Sequence, residues 1–394
     1  MANGDGATQD TPSGAKAADG AGVSSSAAAL GRMIVALGPI TRKRLADRLR
    51  LSPASLTRLT RPLFDAGVLR EIDVDTTGNG AGRPTRPLDI VPGVGTIYGI
   101  KLTASAMHLA VTDLKANLAV HETRPLAGHT PASVAAMAAE LVARHPPAPG
   151  QPTALGICLG GTVLDGRQVA QVPDLGWKDV PLATLIEDAA GIPVTVENDV
   201  VGLTHGLHWF GPGRDLTDFA VITIGHGVGY GLVRQDRVVS PLDAGLGLAS
   251  HIPLGVDGPV CARGHAGCAG GLLTIPRLTA QAADDLGRPV GYDELLAAGA
   301  AGQPPAAARL VDSAACGLGR LIALAANLTM QPAVILSGEG IGLWDVAQDK
   351  VRAAAAGDRD PDAAPLRIEV DFASSISWVR GAAALAISSV IARI

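Results

Sequence analysis

An α/β architecture in two unequal parts is what the sequence predicts: a small helical module with a strand pair, then a larger body in which strands alternate with helices. Three observations carry this reading. The chain has 394 residues, enough for two or three cores without disulfide or metal staples. Only 3% of residues are aromatic while Gly numbers 49, so the cores must be built from Ala, Val, Leu and Ile, which suits helices on a parallel sheet better than a β-sandwich. The third is charge: residues 30–90 hold eleven Lys or Arg against six Asp or Glu, whereas residues 91–394 carry −8 of an overall −5, so only the first part is suited to meet a polyanion.

Residues 1–29 are rich in Gly, Ala, Ser and Asp and lack the apolar stretch of a signal peptide, so a disordered tail is expected there. No membrane segment is expected, because the longest uncharged apolar stretch, 321–338, is interrupted by Asn327, Gln331 and Pro332. Cys158, Cys261, Cys268 and Cys316 are too few and scattered for a secreted disulfide framework, which makes a cytoplasmic location the expectation.

In the module, Leu30, Met33, Ile34 and Leu37 share a helical face after the cap signals Ser24, Ser25 and Ser26, and Gly38-Pro39 ends that helix. Thr41 caps a second helix with Leu45 and Leu49 inward. Ser52-Pro53 supplies an N-cap and first-turn proline for a third, which turns Leu56, Leu59 and Leu63 inward and ends at Gly67. Its outward positions are Ser55, Thr57, Arg58 and Arg61. Residues 68–74 and 88–91 then read as a strand pair around a Gly-rich tip containing Gly82-Arg83-Pro84. This is the order of a winged helix-turn-helix over residues 30–91, in which the third helix enters the major groove of double-stranded DNA and Arg83 in the wing holds phosphate. The plainer alternative, a protein-contact module with incidental arginines, does not account for the agreement of caps, apolar spacing, wing and local charge.

In the body, candidate strands fall at 97–100, 109–113, 154–159, 194–197, 219–224, 231–234, 334–337 and 368–371, with Ala-rich helices such as 131–144 between them. About 300 residues suffice for two lobes, with a ligand expected between them at strand carboxyl ends. Four stretches are candidates for chemistry. The glycine turn 225–231 reads equally as a phosphate-approaching loop or a scaffold hairpin. Glu197-Asn198-Asp199 reads as a general base or hydroxyl acceptor, or as a helix N-cap, the better reading on letters alone. His251, Cys261 and Cys268 read as a zinc loop lacking one member, or as a metal-free loop. Residues 334–340 read as a buried strand and connecting turn, or as a nucleotide-binding turn.

The order of these segments resembles the transcriptional regulators of the ROK family (repressors, open reading frames and kinases) from about Leu30 to the carboxyl terminus. The resemblance rests on Gly82-Arg83-Pro84, the 173–182 stretch PDLGWKDVPL, Glu197-Asn198-Asp199, the glycine turn, His251 with its cysteine loop, Ala326-Asn327-Leu328 and 381–385. It implies a two-lobed actin-like, sugar-kinase (ribonuclease H-like) fold, with a first lobe at 95–204 completed by a carboxyl-terminal helix at 380–394, and a second lobe at 205–379. It also implies that Asn198, Asp199 and His251 bind a sugar-like effector, that His251, Cys261 and Cys268 belong to a zinc site, and that the chain forms a homodimer or homotetramer.

Departures from the family pattern shape the expected function. Family kinases open the body with Asp-x-Gly-Gly-Thr, whose Asp serves metal and phosphates; here the stretch is Lys101-Leu102-Thr103-Ala104-Ser105, and lysine does not hold magnesium. The second phosphate turn reads Gly225-His226-Gly227 in place of Gly-Thr-Gly. Leu248 and Gly270 replace family glutamates, and Arg263 replaces the central zinc cysteine, so zinc is expected to be weak or absent unless His265 substitutes. The expectation is a DNA-binding repressor without sugar kinase activity. Its rivals are a sugar kinase with a DNA-binding appendage and a dimeric regulator that ignores ligands.

Overall fold

A computed structural model describes residues 20–73, 86–255 and 257–394. Helices α1 (Gly20–Leu37), α2 (Arg42–Leu49) and α3 (Pro53–Asp65) and the antiparallel pair β1 (Leu69–Glu71) and β2 (Leu88–Ile90) form the module. Thr41 accepts a hydrogen bond from the amide of Arg44, and Ser52 from that of Ser55, so both expected caps are in place. Two expectations are corrected. α1 begins at Gly20, so residues 20–29 are helix rather than tail, and Ser24, Ser25 and Ser26 lie inside it instead of capping it. An Ala- and Ser-rich run without Pro propagates a helix once its end is packed, and Ala28 and Leu30 are buried. Residues 1–19 lie outside the described residues.

The first lobe is a five-stranded sheet of β3 (Thr96–Leu102), β4 (Ala106–Thr112), β5 (Leu118–Pro125), β6 (Thr153–Leu159) and β10 (Val194–Asn198), in the order β10-β6-β3-β4-β5. Helices α4 (Pro131–Arg144) and α5 (Leu182–Ala190) pack on one face. A three-stranded flap of β7 (Thr162–Leu164), β8 (Gln168–Val172) and β9 (Trp177–Val180) follows β6. Helix α6 (Asp199–Phe210) leads to the second lobe, whose sheet runs β13-β12-β11-β14-β15. Its strands are β11 (Phe219–Ile224), β12 (Val228–Arg234), β13 (Arg237–Val238), β14 (Ala333–Ser337) and β15 (Arg367–Val370). Helices α7 (Ala269–Leu273), α8 (Ile275–Leu286), α9 (Tyr292–Ala301), α10 (Pro305–Thr329) and α11 (Gly342–Gly357) complete it.

The last helix, α12 (Ser374–Arg393), returns to the first lobe against β3 and β6. The approach is possible because Gly99 and Gly156 face it: a Cβ at Gly99 would lie 2.2 Å from the carbonyl oxygen of Val379, and one at Gly156 1.9 Å from that of Ala382. α10 and α12 are apolar and long enough to span a bilayer, but 67% of each apolar window is buried in this fold, as in core helices. The module shares a core with the body: Leu30 and Ile34 pack with Ile387, Ile391 and Trp209.

Candidate functional site

Helix α3 buries Leu56, Leu59 and Leu63 and leaves Thr57, Arg58 and Arg61 exposed, as the apolar spacing requires. Arg58 has no ion-pair partner among the described residues, and Arg61 lies 3.7 Å from Asp65, both largely in solvent. Ser55 is half-buried and its hydroxyl faces Ser52 at 3.0 Å in the helix cap. The Thr57 hydroxyl donates to the carbonyl oxygen of Pro53. Arg83 lies outside the described residues.

Two ion pairs and one arginine–backbone contact fix the module to the body. Lys115 donates to both carboxylate oxygens of Asp89 at 2.8 Å. Arg214 donates to the carbonyls of Ala36, in the last turn of α1, and of Gly38 just beyond it, where cations complement the helix end. Arg48 in the last turn of α2 grips Asp236 with two hydrogen bonds of 3.0 and 2.5 Å. Burial pushes the Asp236 carboxyl up, but adjacent His208 and Arg48 outweigh it and hold it down to about 2. Sequence reasoning missed this contact, because nothing in the local pattern links residue 48 to a turn nearly two hundred residues later.

Between the lobes is a cavity of about 980 Å³. It is lined by the β3–β4 turn from Lys101 to Ser105, the start of α6, the 225–230 hairpin, Leu248, the α10 face with Leu321 and Leu328, and Trp378. The glycine turn joins antiparallel β11 and β12 as a hairpin whose tip borders the cavity. Asn198 is the N-cap of α6, its side-chain oxygen accepting from the amides of Val200 and Val201 and its amide donating to Gly161 and Asp199. The second Asp199 oxygen is bound by Lys101, whose ammonium lies 4.5 Å from the centre of the Trp378 ring. Asn198 therefore lines the cavity with its side-chain hydrogen bonds already made, and Asp199 with both carboxylate oxygens already partnered. Leu248 is 64% exposed on the cavity wall.

His251 is not among the lining residues; it belongs to a separate cluster. His265 joins the three residues singled out in the sequence: His251, Cys261, His265 and Cys268 bring ligand atoms within 4.8 Å of one another. His265 reaches the cluster because the tight turn at Gly264, with φ +84°, folds the loop back, while Arg263 points to solvent. Burial pushes the Cys261 thiol up, but the backbone amides of Arg263 and His265 overcome it and hold it below its ordinary value. Two imidazoles and two thiols in this arrangement fit a tetrahedral Zn²⁺.

Several known proteins share this architecture. The chain is 26% identical over 349 residues to the DNA-binding transcriptional repressor Mlc of Escherichia coli K12, covering 84% of this chain and 85% of that protein. It is 25% identical over 248 residues to the DNA-binding transcriptional dual regulator NagC of the same organism, spanning 61% of this chain and 60% of NagC. Among solved structures, a ROK family transcriptional regulator described as a homologue of E. coli Mlc superposes with a TM-score of 0.73 at 22% identity, over 94% of this chain and 98% of the other. The ROK hexokinase of Thermus thermophilus superposes with a TM-score of 0.61 at 26% identity, over 74% and 97%. The ROK family model matches residues 97–389, nearly the whole two-lobed body, and the chain belongs to the ROK family.

Proposed function

We propose that this chain is a sequence-specific DNA-binding transcriptional regulator, a repressor in its action, whose kinase-derived body senses a small molecule and transfers no phosphate. The observation that carries the reading is the exposed face of α3 that presents Thr57, Arg58 and Arg61, on a module fused to the body through a shared core. Arg58 and Arg61 contact base edges or phosphates from the major groove, Ser55 and Thr57 stand beside them, and Arg83 adds a wing contact. The likeness to proteins named as a DNA-binding transcriptional repressor and a DNA-binding transcriptional dual regulator supports the same reading.

Loss of kinase chemistry follows from Lys101. Phosphoryl transfer depends on a metal held by carboxylate and on a free base for the acceptor hydroxyl. Here a lysine occupies the first place and ties up Asp199, the candidate for the second. The cavity favours an effector over a ligand-independent scaffold, since about 980 Å³ of lined space accommodates a small organic molecule. Leu248 makes that molecule less hydroxylated than a free hexose. Binding paired half-sites calls for a homodimer or homotetramer in the cytoplasm. Zn²⁺, held by His251, Cys261, His265 and Cys268, would fasten the loop that borders α7.

Genomic footprinting of the tagged chain in its host tests the proposal. Discrete sites upstream of a small set of genes are expected, and a uniform background would refute sequence-specific regulation.

A further inference from the structure

Two elements run from the interlobe cavity to the DNA-binding module. Strand β12 starts among cavity-lining residues, Val228, Gly229 and Tyr230, and ends at the turn that carries Asp236. Helix α6 starts at the cavity with Asp199, Val200 and Val201, and its last turn carries His208 and Trp209. The two converge on one carboxylate: His208 Nε2 lies 3.6 Å from Asp236 Oδ1, and Arg48 of α2 grips both oxygens of the same group. The turn, in which Gln235 and Asp236 have positive φ, is held by two hydrogen bonds: the Asp236 amide donates to the Thr217 carbonyl oxygen and the Gln235 amide to the Asp218 carboxylate. Arg48 and Asp236 side chains are only 17% and 24% exposed.

We infer that Asp236 is a positioning residue for DNA recognition: through Arg48 it sets the orientation of the helix-turn-helix, and it joins that orientation to the two elements bordering the cavity. Arg48 is a basic residue on a basic module, so the plain expectation is a phosphate contact. The geometry assigns it differently. A guanidinium held by two hydrogen bonds to a carboxylate is oriented and largely neutralised, and it acts on DNA by fixing where α2 and α3 sit. The joint's role in DNA binding stands by itself, whereas its role in signalling rests on the reading of the cavity as an effector site.

The sign of one substitution separates the two assignments. Removing a negative charge from a DNA-binding protein ordinarily strengthens its grip on a polyanion, and Asp236→Asn would do so if Arg48 were a phosphate contact in waiting. If Asp236 positions the module, Asp236→Asn weakens binding to the cognate duplex and leaves non-cognate binding unchanged.

The experiment uses the full chain and a duplex that the unmodified chain enriches from a random-sequence pool, with a scrambled duplex of equal length as control. Asp236→Asn and Arg48→Ala are each expected to weaken the selected duplex by about tenfold, with the double variant no worse than either alone. The scrambled duplex should bind all of them within about twofold of the unmodified chain. Exchange of the pair, Arg48→Glu with Asp236→Arg, should recover binding lost in Arg48→Glu alone, and it decides the matter if Asp236→Asn does not fold. Undiminished or tighter binding by Asp236→Asn, or an exchanged pair no better than Arg48→Glu, would overturn the joint. Failure of the unmodified chain to enrich any duplex would instead remove the DNA-binding reading on which the test stands.

Discussion

The ammonium of Lys101 is bound to a carboxylate oxygen of Asp199 and faces the ring of Trp378, so β3, α6 and α12 meet at one ion pair on the cavity floor. The other Asp199 oxygen accepts from Val200 and Asn198, which leaves the carboxylate satisfied from within the protein.

Absence of sugar kinase activity is the first consequence. A coupled assay over hexoses and amino sugars should show no ADP release above a heat-killed control, and robust turnover would contradict it. Lys101→Ala should not create activity. It should cost about 1 to 3 kcal/mol of stability in denaturant titration, because it leaves one oxygen of the largely buried Asp199 without its partner.

Zinc binding is the second. Protein purified without added metal should carry about one Zn²⁺ per chain by elemental analysis. His265→Ala or Cys261→Ser should lower that content severalfold, while Cys316→Ser, outside the cluster, should leave it unchanged. Full zinc content in His265→Ala would show that the fourth ligand is not His265.

A third prediction concerns acid. Burial, with smaller contributions from neighbouring His208 and Arg32, lowers the His205 imidazole to about 3. Below the unfolded-state value near 6.5, the unfolded chain therefore takes up a proton that the native state refuses. Stability is fully present above that value and falls as pH drops toward 3, by up to about 1.4 kcal/mol per pH unit. His205→Leu should flatten the slope between pH 6.5 and 5 measured by urea titration; an unchanged slope would assign it to other groups.

Much of this was legible in the sequence, and the reason differs by element. Apolar periodicity and side-chain caps are local signals, so α2 with Thr41 and α3 with Ser52 fall where the letters place them. Strand β11 spans the expected residues 219–224, because a fully buried strand reads as an unbroken apolar run. β5 was not foreseen, since its half-exposed pattern mixes His121, Glu122 and Arg124 into the strand as an edge requires. The flap β7–β9 is built of strands of only three to five residues, too short for a periodic signal. At the site, the departure at Lys101 was visible, but its partner was not: pairing with Asp199 joins residues 98 positions apart and depends on the parallel register of β3, β6 and β10. His265 was only a possible substitute on spacing, and the turn at Gly264 is what brings it to the cluster.

The cavity leads to a fourth prediction. The Asn198 side chain makes all its hydrogen bonds within the protein and Asp199 makes three of its own there, while Leu248 presents an apolar side chain where the family pattern has a glutamate. Unmodified glucose should therefore bind no tighter than about millimolar in calorimetry, since each missing charged hydrogen bond is worth about 1.5 to 3 kcal/mol. Micromolar glucose binding would contradict this account of the pocket.

The central claim is that α3 reads DNA, and fluorescence anisotropy of the full chain on a duplex taken from its genomic footprint tests it most directly. The duplex should bind at least about a hundredfold tighter than a scrambled one. Affinity should fall steeply with salt, and Arg58→Ala or Arg61→Ala should each cost about 1 to 3 kcal/mol. Equal affinity for both duplexes, or full affinity in the Arg58→Ala, Arg61→Ala double variant, would contradict it.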